Sequence, residues 1–308
     1  MKFALLMPID RVSPSGEFQS GEAVRDIAMA LERAGVSAGF LSEHPAPSAD
    51  WLHTDPSGHD ALDPFTALAF AAAATRRLKV LSNVVVLPYR NPFLTAKAAA
   101  TLQILSDNRF ILGVGVGYQQ VEFDALGVPH AERGALTDEA LETIELAWKG
   151  GPVVKRGRHF DAVGNEPRPC PSLPPPVWIG GGSDRAVERA ARWGDGWLPY
   201  FSVPAHDPRA RESAVVSMEQ FREKVDRLRE LRQRLGRTGP FDLAVKSPCP
   251  PHAATKAEAG EFLEQTHRLR EHGATWIWTP LPAPSRAAFL ENVAWFGEEI
   301  IASFEGNS

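Results

Sequence analysis

The sequence predicts a (β/α)8 TIM barrel, on three observations. Strand-like and helix-like segments alternate from one end of the chain to the other, in about eight pairs. The third strand-like run, Leu78 to Val86, is rich in Val and Leu, as in a parallel strand buried on both faces. The length of 308 residues is about what such a barrel needs, and the whole chain, 1–308, reads as one barrel domain. A doubly wound open sheet shares the alternation and is the runner-up.

Taken in order, Phe3 to Met7 reads as the first strand and Glu22 to Ala34 as a helix stopped by Gly35. Ala38 to Ser42 is the second strand. Asp63-Pro64 caps a helix to Ala74, with proline in the first turn, where no N–H is missed. Leu78 to Val86 follows as a strand, Thr95 to Leu105 as a helix, and Phe110 to Val116 as the fourth strand. Ala135 to Lys149 forms a helix with Leu136, Leu141, Ile144 and Trp148 on one side. Val177 to Ile179 and Gly196 to Leu198 are strands flanking a helix from Ala186 to Trp193. Arg211 to Leu235 is a long charged helix, Phe241 to Val245 a strand, and Ala257 to His272 a helix closing at Gly273. Ala274 to Thr279 is the eighth strand, and the last helix runs from about Arg286 to Ser303.

Two irregular insertions interrupt this order, one after strand two (Glu43 to Leu62) and one after helix four (Gly151 to Pro176). A loop after a strand lies on the catalytic face of a barrel, so the first, with His44, Trp51, His53 and His59, is the more suggestive. The second carries Val153-Val154 and His159-Phe160, which look like a small hairpin before a proline-rich crossover.

Composition narrows the function classes. The 44% hydrophobic and 23% charged fractions are those of an ordinary globular protein. A net charge of -5 argues against a nucleic-acid or anionic-membrane partner. No apolar run approaches a membrane span, and the opening Met1 to Met7 is too short for a signal peptide. Cys170 and Cys249 match no metal or redox spacing, which suggests a reducing cytoplasm. The nine histidines show no ligand-like pairing, so no metal site is expected.

The most informative motif is Pro176-Val-Trp-Ile-Gly-Gly-Gly-Ser-Asp-Arg185. A short strand runs into three glycines, then Ser183 and Asp184 stand where a helix cap belongs. Backbone N–H groups and the positive end of a helix dipole then surround a volume suited to a phosphate. An ordinary tight βα turn is the plainer reading. Gly113-Val-Gly-Val-Gly117 resembles a dinucleotide fingerprint, but the third glycine comes one residue early. It reads better as a glycine-lined strand end against which something flat can lie. No GxxxxGK[ST], GxSxG or HExxH pattern occurs. His44 directly follows strand two, where a barrel presents catalytic groups. Arg90 reads either as an anion contact or, more plainly, as a surface arginine.

These segments together resemble the luciferase-like flavin and deazaflavin oxidoreductases. The resemblance rests on Gly113 to Tyr118 with Glu122-Phe123 and Leu126-Gly-Val128, then Arg133, Glu139-Ala-Leu-Glu142 and Trp148. Leu81-Ser-Asn-Val-Val85 with Asn91-Pro92, Pro174 to Ser183 and Ala190 to Trp197 extend it, from about Phe3 to Trp197. The resemblance implies a TIM barrel that binds coenzyme F420, or alternatively FMN, at its C-terminal face. It implies a cofactor phosphate at Gly181, Gly182 and Ser183, and a bulge, often with a non-prolyl cis peptide, at Ser82, Asn83 and Val84 behind the ring. Gly115, Gly117 and Tyr118 would line the ring's edge, and His44 would stand near the redox carbon. It also implies a homodimer.

In that frame His44 gives or takes the proton that accompanies hydride transfer to a small-molecule substrate, since imidazole ordinarily titrates near neutrality. Two other readings are open: an FMN-dependent monooxygenase of the same fold, and a cofactor-free barrel with a binding role.

Overall fold

The computed structural model describes residues 1–11, 15–53, 59–201 and 214–305. Eight parallel strands form its centre: β1 Lys2–Leu6, β2 Ala38–Leu41, β3 Lys79–Ser82, β4 Phe110–Gly115, β5 Val177–Gly180, β6 Gly196–Leu198, β7 Asp242–Lys246 and β8 Trp276–Thr279. Each pairs with the next, and β8 returns to β1 in a register running from Lys2↔Trp276 to Leu5↔Thr279. Pairing of β3 with β4 through Val80↔Phe110 completes the ring. The sheet is closed, which removes the open doubly wound alternative and leaves none of the eight barrel strands with an unpaired edge.

Helices α1 Gly21–Arg33, α2 Pro64–Ala74, α3 Pro92–Leu105, α4 Arg133–Trp148, α5 Asp184–Trp193, α6 Met218–Arg234, α7 Lys256–Glu271 and α8 Arg286–Trp295 surround it. Their starts are written locally. Ser20, Asp63, Asn91, Ser183, Ser217, Thr255 and Ser285 each accept a backbone N–H of the first turn. Thr255 and Glu258 form a complete capping box.

Strand alternation divides the core in two. Phe3 and Leu5 point outward into the layer beneath the helices, while Ala4 joins Ala38, Phe40, Leu81, Ile111, Trp178, Leu198, Ala244 and Trp276 in the lumen. Trp178 and Trp276 meet edge to face at 5.1 Å and fill the barrel's axis. Leu6, Val84 and Trp278 pack on this layer from above, so the C-terminal mouth has a solid apolar floor.

Three expectations needed revision. The third strand is not continuous from Leu78 to Val86. It breaks at a cis peptide bond between Asn83 and Val84, then resumes as Val85–Val86 against β4. Hydrophobic periodicity does not register the bulge, because Val and Leu flank Ser82-Asn83 on both sides and the run reads through. The helix expected over Arg211 to Leu235 begins only after the Ser217 cap. Ala214–Val215 instead pairs with Tyr200–Phe201 as a small strand, and Arg211 lies outside the described residues. The last helix widens into a π-helical turn at Phe296–Ile301.

The insertion after β2 carries a short helix, Ala49–His53. The insertion after α4 is the expected hairpin, Val153–Arg156 against Asp161–Asn165. Its turn is held by Glu139 of α4, whose carboxylate accepts the amides of His159 and Phe160. Among the described residues no helix is long and apolar enough to cross a membrane.

Candidate active site

The loops after β2, β3 and β4 are neighbours because their strands are, and they converge on His44. Its Nδ1 lies 3.3 Å from Oε2 of Glu122 and 3.1 Å from the carboxamide nitrogen of Gln119. Glu122 sits on the short helix Gln120–Ala125 and is 1% exposed. It also accepts the Tyr89 hydroxyl at 3.1 Å and the Ala46 amide at 3.2 Å. Burial, reinforced by the charge of Glu122, raises the Tyr89 phenol far above its ordinary value, so it stays a hydroxyl donor. No described residue hydrogen-bonds Nε2 of His44. The ring is therefore held through Nδ1, while Nε2 keeps its hydrogen-bonding capacity among the described residues.

The loop after β2 folds over this histidine. Trp51 packs on the His44 ring at 4.6 Å and stacks on His59 at 4.8 Å. His59 in turn contacts Asp10 after β1, with Nδ1 3.2 Å from Oδ2, and the Asp60 amide donates to the Asp10 carbonyl. Tyr118 approaches His44 edge-on at 6.1 Å.

Glu43, beside His44, points the other way. It is buried, accepts the Val86 amide at 2.7 Å and receives Arg90 Nε at 2.6 Å. Arg90 also reaches Asp63, the α2 cap, at 2.6 Å. It thus joins three segments around the site and is neither of the two things its sequence position suggested. Burial raises the Glu43 carboxyl above its ordinary value, with Arg90 and the Val86 amide offsetting only part of the cost. Burial also acts against Asp63, but hydrogen bonds from Arg90 and Thr66 outweigh it and hold this carboxyl low.

The bulge after β3 organises the opposite wall. Ser82 is buried, its hydroxyl donating to the Gly113 carbonyl at 2.9 Å and accepting the Gly113 amide at 3.0 Å. The Asn83 backbone donates to Leu41, while its buried side-chain nitrogen has no hydrogen-bond partner among the described residues. Val84 lies over the glycines of β4 and β5: a Cβ at Gly115 would come within 2.7 Å of its side chain, and one at Gly180 within 3.0 Å. Gly117, at φ +76°, leaves room for Val86 and Phe123. These glycines first accommodate the bulge.

At the glycine turn before α5, Gly181 adopts φ +108° and spends its amide on the Leu198 carbonyl at 3.0 Å. Its own carbonyl accepts the Trp197 indole N–H at 2.7 Å. Ser183 caps the helix through Ala186. No described group accepts the amides of Gly182 and Ser183, so two donors at the positive end of α5 are left for an anion. The residues present fit a flat cofactor with an anionic tail. The fit consists of the orphaned Asn83 nitrogen, the Val84 platform and these two amides.

The expected site residues thus gather at one end of the barrel, on β3, β4, β5 and the loop after β2. Glu122, Gln119, Tyr89, Trp51, His59 and Asp10 were not assigned roles from sequence. Glu122 carried a signal as part of a recurrent motif, and Trp51 and His59 only through their place in the loop after strand two. Two cavities of about 320 and 680 Å³ lie at the other end, beneath the N-terminal ends of β5 to β8, and take no part in this site.

Comparison with known proteins gives the family of this barrel. The model of the luciferase-like monooxygenase family matches residues 1–302. An uncharacterised protein of Mycobacterium tuberculosis is 30% identical over 309 residues, covering 92% of this chain and 99% of that protein. A protein of Kineococcus radiotolerans named F420-dependent glucose-6-phosphate dehydrogenase is 30% identical over 186 residues, covering 59% of this chain and 53% of that protein. The crystal structure of the monooxygenase RslO1 from Streptomyces bottropensis superposes with a TM-score of 0.79 at 19% identity, covering 99% of this chain and all of that one, and shows the shared barrel. The chain belongs to the luciferase-like monooxygenase family and is an enzyme of that class.

Proposed function

We propose that the protein transfers a hydride between coenzyme F420 and a small organic substrate, with His44 as donor or acceptor of the accompanying proton. The observation that carries this reading is the state of His44, with Nδ1 engaged by Glu122 and Gln119 and Nε2 left for a ligand above an apolar floor. The similarity to a relative named as F420-dependent supports the choice of cofactor.

A deazaflavin supplies a carbon that donates or accepts a hydride. The chain's own residues would do the rest. Val84 would back the ring, Asn83 would donate to one of its oxygens, and Gly115, Gly117 and Tyr118 would border its edge. Gly181 shapes the turn that aims the Gly182 and Ser183 amides at the anionic tail. His44 would hold a proton at Nε2 or receive one there, as imidazole chemistry permits near neutral pH.

Titrating the protein with oxidised F420, following absorbance, tests the reading. Saturable binding is expected. FMN is the alternative occupant, and binding of FMN alone, with oxygen consumption when it is reduced, would replace F420 with the monooxygenase reading.

Two further parts of the proposal concern assembly and place. A homodimer through α2 and α3 is supported by Phe70, Leu94 and Leu105, which are 58%, 70% and 70% exposed on two predominantly apolar helices. A reducing cytoplasm fits Cys170 and Cys249, both free.

A further inference from the structure

We infer that Glu122, backed by Tyr89, is a positioning residue that fixes the tautomer of His44 and so leaves a lone pair on Nε2. A neutral imidazole carries its proton on one ring nitrogen only, and the hydrogen bond at Nδ1 decides which. Two groups face Nδ1, the Glu122 carboxylate at 3.3 Å and the Gln119 carboxamide at 3.1 Å.

An ionised carboxylate can only accept, whereas a carboxamide can present its oxygen instead of its nitrogen after a half-turn. The carboxylate decides, because a charge-assisted hydrogen bond is about twice as strong as a neutral one. Nδ1 then carries the proton and Gln119 turns its oxygen toward it.

Glu122 is suited to this part and not to direct contact with a substrate. Its side chain is 2% exposed, and its oxygens are occupied by Tyr89 and His44 on Oε2 and by Ala46 on Oε1. Tyr89, held protonated by burial and by the carboxylate's charge, donates to the same oxygen that faces His44. Among the described residues no Lys or Arg pairs with Glu122, and His44 is its one partner able to become cationic. Trp51, His59 and Tyr118 surround the ring but are not hydrogen-bonded to Nδ1.

Resting on the proposed function, this gives Glu122 a consequence for the reaction. As a substrate hydroxyl loses its proton to Nε2, the carbinol hydride leaves for oxidised deazaflavin and the C=O bond forms. The positive charge on the ring then appears beside a buried carboxylate. The reverse steps serve reduction.

The test is ¹⁵N NMR of histidine-labelled protein without cofactor, the His44 signals being assigned by their loss in His44→Gln. The neutral ring should be mainly the Nδ1–H form. Glu122→Gln, which keeps an acceptor for the Ala46 amide, should shift the tautomer ratio toward Nε2–H about fivefold or more. Tyr89→Phe, which keeps the ring contact with Phe123, should leave the Nδ1–H form preferred.

A wild-type ring found mainly as Nε2–H, or a ratio unmoved in a folded Glu122→Gln protein, would overturn the inference. Absorbance titration of the same samples with F420 keeps the two claims apart. Failure to bind F420 sinks the functional reading, while the tautomer ratio still decides the role of Glu122.

Discussion

The side chain of Val84 fills the space that a Cβ on Gly115 would need, at 2.7 Å. The glycine of β4 is thus matched to a residue about thirty positions earlier, presented by the bulge after β3. Gly115→Ala should force the two apart and cost about 1–3 kcal/mol by overpacking. Adding Val84→Ala should recover most of that stability, so the pair would be non-additive in thermal unfolding. Additive losses would show that the contact is not what limits residue 115.

The amide pair before α5 offers a direct test of anion binding. Gly182→Asp places bulk and negative charge among the donors, and F420 affinity should fall about tenfold or more, roughly 1.4 kcal/mol. Unchanged affinity by absorbance titration would move the cofactor tail elsewhere.

Removing the imidazole separates chemistry from binding. His44→Ala should lower turnover by about 10²–10⁴, with F420 affinity little changed. Equal turnover would remove the proton role of this residue.

Arg90 compensates a buried carboxylate, and its loss should show in the pH dependence of stability. Arg90→Met should destabilise the protein by about 3 kcal/mol at neutral pH, the usual result of leaving one member of a buried ion pair alone. Glu43 already has a raised folded-state value, so the folded protein binds more protons there than the unfolded chain. Stability from this group therefore falls as pH rises and returns as pH falls through the raised value. The deficit of the variant relative to wild type should narrow on acidification, as denaturant midpoints at several pH values would show. A constant deficit would mean that Arg90 acts by packing alone.

The exposed apolar face of α2 and α3 makes the assembly testable. Leu94→Arg combined with Leu105→Arg should halve the mass measured by light scattering, with the circular dichroism of the folded barrel retained. A wild-type protein already monomeric would end the dimer proposal.

Local order was legible because its causes are local. The helix caps, the prolines at the starts of α2 and α3, and the glycine turn before α5 are each decided within a few residues. Most strands and helices accordingly begin within a few residues of where periodicity places them. The interruption at Asn83-Val84 was not legible in the pattern, since Val, Leu and Asn there read as one strand. It surfaced only through resemblance.

Taken alone, the amino-acid order determined the alternation of strand and helix, the capped starts of most helices, the family and the histidine after the second strand. Tertiary structure alone decided that Glu122 and Tyr89 meet His44, that Arg90 serves Glu43 and Asp63, and that Val84 needs the glycines of β4 and β5. Residues 44, 89 and 122 are separated by dozens of positions, and no short-range preference relates them. Closing a parallel barrel makes β2, β3 and β4 adjacent, and that adjacency is what brings their loops to one point.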